Sequence, residues 1–165
     1  MDKQITIREL TAPKDIARFW EELYAHFRRD VFPGPEDEDL AYVLGPKYRE
    51  AIERLHDRET DPLHYLFFQR NGVDIGLTMT VTYLSEDGKC FILEFGVFPE
   101  FRGNGTGRSC AAALMEWAGK RGAAYFALNA DTEQRQRFWG YSGFRVVGED
   151  EHGLPLLVLR PEELG

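Results

Sequence analysis

Cysteine is nearly missing from this 165-residue chain: Cys90 and Cys110 are the two, with neither CxxC spacing nor the density of a disulfide-stapled secreted fold. Both read as buried thiols. No apolar run approaches the roughly 18 residues of a membrane span. The opening Met1-Asp2-Lys3-Gln4 leads to Arg8 and Glu9 instead of an apolar signal core, so a cytoplasmic protein with no membrane partner is expected. Basic residues are in deficit, 20 Lys+Arg against 28 Asp+Glu for a net charge of -8, the wrong sign for a nucleic-acid partner. His26, His56, His64 and His152 are scattered, with no HExxH motif or Cys/His cluster, so no metal is expected.

What is present is globular. Hydrophobic residues at 43% and charged residues at 29% exclude disorder for most of the chain, and this length can bury about 70% of its unfolded surface without metal or disulfide support. No linker or repeat divides it, so residues 1–165 are expected to form one domain. Residues 4–10 alternate as a half-buried strand. Ile16, Phe19, Trp20, Leu23 and Phe27 then recur at helical spacing until Pro33-Gly34-Pro35, and two short helices follow, split by Gly45-Pro46. Strands at 63–69, 73–84 and 90–98 are joined by the turns Asn71-Gly72 and Glu86-Asp87-Gly88 as an antiparallel meander. The last of these is apolar on both faces, as a central strand would be. A helix through 111–117, a strand at 124–129, a helix at 132–142 and strands at 143–147 and 154–159 complete the order. The expectation is a mixed α/β (α+β) fold, with a mostly antiparallel sheet, helices on both faces and one parallel βαβ unit.

Glycine carries the functional signal. Three of the sixteen, Gly103, Gly105 and Gly107, fall within five positions in Phe101-Arg102-Gly103-Asn104-Gly105-Thr106-Gly107-Arg108, between a buried strand and a helix. Amides at a helix start lack intrahelical partners, glycine lets the main chain approach an anion, and Arg102 and Arg108 add charge, so this loop suits a phosphate. A Walker frame fails at Arg102 and Arg108, and a dinucleotide frame fails at Cys110. The pattern R-x-x-G-x-G, met by Arg102, Gly105 and Gly107, resembles the acetyl-CoA loop of the GNAT superfamily of N-acetyltransferases. The element order resembles that superfamily over essentially the whole chain, and Phe138-Trp139-Gly140-Tyr141-Ser142-Gly143-Phe144 is similar to its late F-Y-x-x-x-G-F segment.

The resemblance implies that acetyl-CoA is held by Arg102, Gly103, Asn104, Gly105, Thr106, Gly107 and Arg108. It also implies that two strands splay apart, leaving the backbone N–H groups of Phe95 and Val97 free for pantetheine and the acetyl carbonyl. Thr132 stands where the family often has Asn beside pantetheine, and Trp139 where it often has a Tyr acid; an indole N–H is no useful acid. Tyr141 is left as the candidate acid, with a packing role as its alternative. Glu94 interrupts Phe91-Ile92-Leu93-Glu94-Phe95, where desolvation would raise its pKa toward that of a useful base; a structural carboxylate paired with an arginine, or an edge residue facing water, is the alternative.

The implied reaction is transfer of an acetyl group to a primary amine in a ternary complex without an acyl-enzyme. A catalytically silent acyl-CoA sensor is the rival reading, suggested by Trp139. Residues 36–61 carry nine acids against four bases, which would favour a cationic amine such as a polyamine, an aminoglycoside or a peptide N-terminus, with a solvated acidic helix face as the alternative. Trp20, Tyr24, Phe27 and Tyr42 would line such a pocket or, as such stripes more often do, form core. Whether a second chain completes the pocket, as in a homodimer, is left open by the sequence.

Overall fold

The computed structural model describes residues 4–34 and 36–163, so Met1, Asp2, Lys3 and the Pro35 of the expected helix stop lie outside the described residues. Its strands are β1 (Thr6–Leu10), β2 (Leu63–Arg70), β3 (Val73–Thr82), β4 (Lys89–Val97), β5 (Tyr125–Asn129), β6 (Arg145–Glu149) and β7 (Pro155–Leu159). They form one seven-stranded sheet in the order β1-β2-β3-β4-β5-β7-β6, antiparallel except where β4 meets β5. β4 is therefore the central strand, as its two apolar faces require.

Helices cover both faces. On one, α1 (Pro13–His26), the turn after it, α2 (Glu38–Val43) and α3 (Pro46–His56) bury Phe19, Trp20, Leu23, Phe27, Leu40, Val43 and Ile52 against Leu77, Met79 and Val81 of β3. The apolar stripe of α1 recurs every three or four residues and so has a single face to bury. On the other, α4 (Thr106–Lys120) and α5 (Glu133–Gly140) set Cys110, Ala111, Leu114, Ala118 and Trp139 against Cys90, Ile92 and Val97 of β4. No helix among the described residues is long and apolar enough to cross a membrane.

Three of the boundaries that differ from expectation have a structural reason. The first helix does not run regularly to the proline cluster: α1 gives way at Phe27 to a π-helical turn ending at Val31. Such turns insert an extra residue and re-aim side chains, and here the turn delivers Asp30 toward the sheet. The helix after the glycine loop starts at Thr106 and not near Ala111, so Thr106, Gly107 and Arg108 form its first turn. The strand expected from Gly143 starts at Arg145, because Phe144 turns back to pack on Trp139 with ring centroids 5.2 Å apart.

The feature that positions the site is a bulge. Thr80 pairs with Ile92 but Met79 pairs with Glu94, so Leu93 is an extra residue on β4. The bulge reverses the alternation: Cys90 and Ile92 face the α4 side, and beyond Leu93 it is Phe95 and Val97 that do so. Glu94 and Gly96 are thereby turned to the α1 side.

A candidate active-site cleft between two splayed strands

β5 pairs with β4 only at Lys89↔Tyr125, Cys90↔Phe126 and Phe91↔Ala127. From Ile92 onward the bulged β4 bends away, while β5 continues beside β7 to Asn129. Between them opens a cleft of about 940 Å³, walled by residues 92–97 on one side and by Leu128 and Asn129 on the other. The Phe98 amide donates to Ile75 of β3, and side-to-side alternation along a strand then turns the Phe95 and Val97 amides away from β3 and into the cleft. The Val97 carbonyl faces the same way and accepts from Arg102 Nε at 2.9 Å.

The glycine loop closes one end. Gly105 is the N-cap of α4 at φ 75°, a left-handed conformation that side chains resist, and the first backbone bond of this turn is Ser109 N–H to the Gly105 carbonyl at 3.0 Å. The amides of Gly105, Gly107 and Arg108 have no backbone acceptor among the described residues, so they point outward from a helix N-terminus. Gly107 serves a different end: a Cβ there would come within 2.8 Å of the Phe138 ring. Thr106 is buried, and its hydroxyl donates to the Gly103 carbonyl at 2.8 Å, shaping the loop.

Glu94 lines the cleft. Desolvation pushes its carboxyl up to about 8, against a smaller opposing pull from Arg135. That arginine is engaged elsewhere, donating to Asp131 at 2.6 Å and to the Asp30 carbonyl at 3.0 Å, and no described residue forms an ion pair or hydrogen bond with the Glu94 side chain. The expected alternative, a carboxylate paired with arginine, is thus not what the structure holds. An aromatic wall of Phe95, Phe138 and Trp139 faces it from the α4 side, with Trp139 edge-on to Phe95 at 4.8 Å.

Of the residues singled out in the sequence, Glu94, Phe95, Val97, Arg102, Gly103, Gly107 and Thr132 line the cleft together. Thr132 also caps α5, accepting from the Arg135 amide at 3.2 Å. Asn104, Gly105, Thr106 and Arg108 belong to the loop and first helical turn at its end. Tyr141 does not join them: it is 63% exposed at the end of α5, and Arg108 lies over its ring at 3.8 Å. The helix turn between Trp139 and Tyr141 points the two rings to different sides, so no acid is placed at the cleft by Tyr141.

None of the nine acids of residues 36–61 lines the cleft either, and Trp20, Tyr24, Phe27 and Tyr42 are absent from its walls. Trp20 and Phe27 are fully buried because the α1 stripe is needed against the sheet. The acids that do line it are Asp30, Glu94 and Asp131. Asp30 and His26 carried only a weak sequence signal, an i,i+4 pair near the end of a helix.

The geometry of an interrupted parallel pair beside a glycine-rich helix start has a counterpart among known proteins. The model of the acetyltransferase (GNAT) family matches residues 20–144. The chain belongs to the acetyltransferase (GNAT) family. No curated protein matches the chain in sequence. Solved structures share its fold at low identity. PaiA N-acetyltransferase from Thermoplasma acidophilum, in complex with coenzyme A, is 16% identical with a TM-score of 0.68, over 95% of this chain and 99% of that one. AAC(6')-Ib in complex with ribostamycin and coenzyme A is 17% identical with a TM-score of 0.67, over 98% and 96%. A GNAT acetyltransferase from Staphylococcus aureus is 14% identical with a TM-score of 0.65, over 94% and 98%. At these identities the likeness is one of fold, and the seven-stranded GNAT sheet of this chain spans the full order of elements expected from its sequence.

Proposed function

We propose that this protein transfers the acetyl group of acetyl-CoA to a primary amine by direct attack within a ternary complex. The observation that carries the reading is the splay of β4 from β5, with an unpaired Glu94 on one wall and unpaired helix-start amides at one end. The coenzyme A complexes of PaiA and AAC(6')-Ib support the cosubstrate.

The cosubstrate brings a thioester carbonyl; the chain binds, orients and moves protons. The amides of Gly105, Gly107 and Arg108, at the positive end of α4, are suited to a pyrophosphate. Arg102 is fixed by Val97 and Asp30 and contributes positive charge beside them. The Phe95 and Val97 amides supply donors for pantetheine and for the oxygen on which charge develops. The Thr132 hydroxyl accepts from the backbone and retains its own proton to donate. An ammonium has no lone pair, so a group beside the attack point must accept a proton from nitrogen, and Glu94, with its raised pKa and no competing partner, does so.

Direct transfer is supported by the state of the thiols. Cys110 is fully buried and does not line the cleft, and burial pushes its thiol up to about 12. A thiol so protonated is no nucleophile, and Cys110→Ala is expected to keep turnover within about twofold; loss of all acetylation with cosubstrate binding intact would point to an acyl-enzyme. The function itself is tested by titrating acetyl-CoA calorimetrically and following thiol release over spermidine, an aminoglycoside and a peptide with a free N-terminus. Binding with amine-dependent release is expected. Binding without release on any amine would favour a silent sensor, and no binding would remove both.

A further inference from the structure

Two protons leave the nitrogen of an alkylammonium acceptor on its way to an amide, and Glu94 accounts for one of them. His26 is built for the other. The imidazole closes α1 and lies directly on β4: a Cβ added to Gly96 would come within 2.7 Å of its Cε1 and 2.8 Å of its Nδ1. Gly96 and Glu94 are two residues apart on one face of the strand, so ring and carboxylate stand over the same stretch of cleft wall, and both line it.

Asp30 fixes the ring's tautomer. His26 Nδ1 is 3.1 Å from Asp30 Oδ2, and the same oxygen accepts from Arg102 Nη2 at 2.5 Å and Arg29 Nε at 3.2 Å. Burial works to raise the Asp30 pKa, but the Arg102 hydrogen bond and the charges of Arg102 and Arg29 hold it below the usual range, so this group is a carboxylate. A carboxylate only accepts. The hydrogen between the two therefore belongs to Nδ1, and the lone pair sits on Nε2, which has no hydrogen-bond or ion-pair partner among the described residues. The charged groups acting on the ring are Asp30 and Arg29 from its own helical segment and Arg102 from the loop after β4; the titratable Glu94 on β4 lines the same cleft, and Arg135 of α5 reaches the Asp30 carbonyl. Burial is the largest influence on His26 and lowers its pKa from 6.5, so the ring is neutral near pH 7.

We propose that His26, oriented by Asp30, is a second proton acceptor of this cleft, taking the first proton from an alkylammonium acceptor before attack. The inference rests on the acetyl-transfer reading above. One proton passes from nitrogen to Nε2, giving an imidazolium paired with the Asp30 carboxylate. The freed lone pair attacks the thioester carbonyl carbon. As the C–N bond forms and the C–S bond breaks, Glu94 takes the second proton and passes it, directly or through water, to sulfur. The imidazolium returns its proton to water at the cleft mouth, so the sum is an acetamide, a free thiol and one proton.

The test is the pH dependence of kcat/KM for His26→Gln, with the best acceptor of the amine panel. Glutamine keeps a donor for Asp30 and removes the titrating base. The variant is expected to lose about 30-fold or more at pH 7, where an alkylamine acceptor is an ammonium, and to recover to within about threefold of wild type at pH 10.5, where about half of an alkylamine with a pKa near 10.4 supplies its own lone pair. Equal losses at both pH values would reduce His26 to a packing residue and overturn the proposal, as would no loss at pH 7. Independently of any acceptor, nitrogen-15 NMR of the wild-type ring at pH 7 is expected to show the neutral Nδ1–H tautomer; an Nε2–H tautomer or an imidazolium would overturn the proposal alone. A wild-type protein that acetylates no amine would overturn the parent reading and this step with it, whatever the tautomer.

Discussion

Glu94→Gln is expected to lower turnover by about 10²- to 10³-fold while leaving acetyl-CoA affinity within about twofold, the range a positioned general base contributes. The same substitution is expected to stabilise the fold. Desolvation raises the Glu94 pKa from 4.5 to about 8. An unfolded glutamate ionises near 4.5 and the folded one only near 8, so the unfolded state releases its proton first and stability falls as pH rises between those values. At pH 7 that penalty is roughly 3 kcal/mol, at about 1.4 kcal/mol per pH unit, and glutamine does not incur it. Wild type should therefore melt progressively lower from pH 4.5 to pH 8 relative to the variant, and the two curves should run parallel above pH 8. Activity should rise with pH in wild type with an apparent pKa near 8, a limb that vanishes in the variant. Unchanged turnover would remove Glu94 from the mechanism, and parallel melting curves throughout would show that the carboxyl is not desolvated.

Gly105→Asp is expected to weaken acetyl-CoA binding by about 10³-fold or more. Gly105 has φ 75° and open space where a Cβ would stand, and Asp is among the residues that tolerate this conformation best, so the fold should persist. The new carboxylate would stand among the unpaired amides at the α4 N-terminus, occupying an anion's place and repelling one. Two like charges about 4 Å apart near a surface cost about 4 kcal/mol, which is the basis of the estimate. Gly105→Asn separates charge from shape: it has the same tolerance of the left-handed conformation and nearly the same volume, and should lose about tenfold or less. Equal losses in the two variants, measured by calorimetry, would mean that the loop is sensitive to bulk and not built for an anion.

The extent to which this site was legible before the structure follows from the range of the interactions concerned. The glycine loop was readable because its chemistry is local: unpaired amides, left-handed backbone and flanking arginines are set by eight consecutive residues. The strand order was readable from alternation and turn residues, and β4 was placed at the centre by the two-sided apolarity of Phe91 to Val97. The bulge at Leu93 left no mark of its own, since an extra apolar residue in an apolar strand changes no pattern, yet it decides which way Glu94 faces. Starting α4 at Ala111 missed one turn because glycines in a first turn look like loop. The aromatics Trp20 and Phe27 read as pocket lining or as core from spacing alone, and the core reading holds because the α1 stripe is needed against the sheet. His26 and Asp30 reach the cleft only because a π-turn and the close approach allowed by Gly96 bring α1 onto β4, a long-range meeting of residues about seventy positions apart.

The central claim is that this cleft moves an acetyl group from thioester to nitrogen. It is tested most directly by mass spectrometry of a single reaction containing acetyl-CoA and one amine of the panel, with free thiol counted in the same tube. An N-acetylated amine in a one-to-one ratio with released thiol is expected, with an initial rate at least about 100-fold lower for Glu94→Gln and, at acetyl-CoA concentrations near the wild-type KM, comparably lower for Gly105→Asp. Thiol release without acetylated amine, or acetyl found on the protein before it appears on the amine, would contradict it.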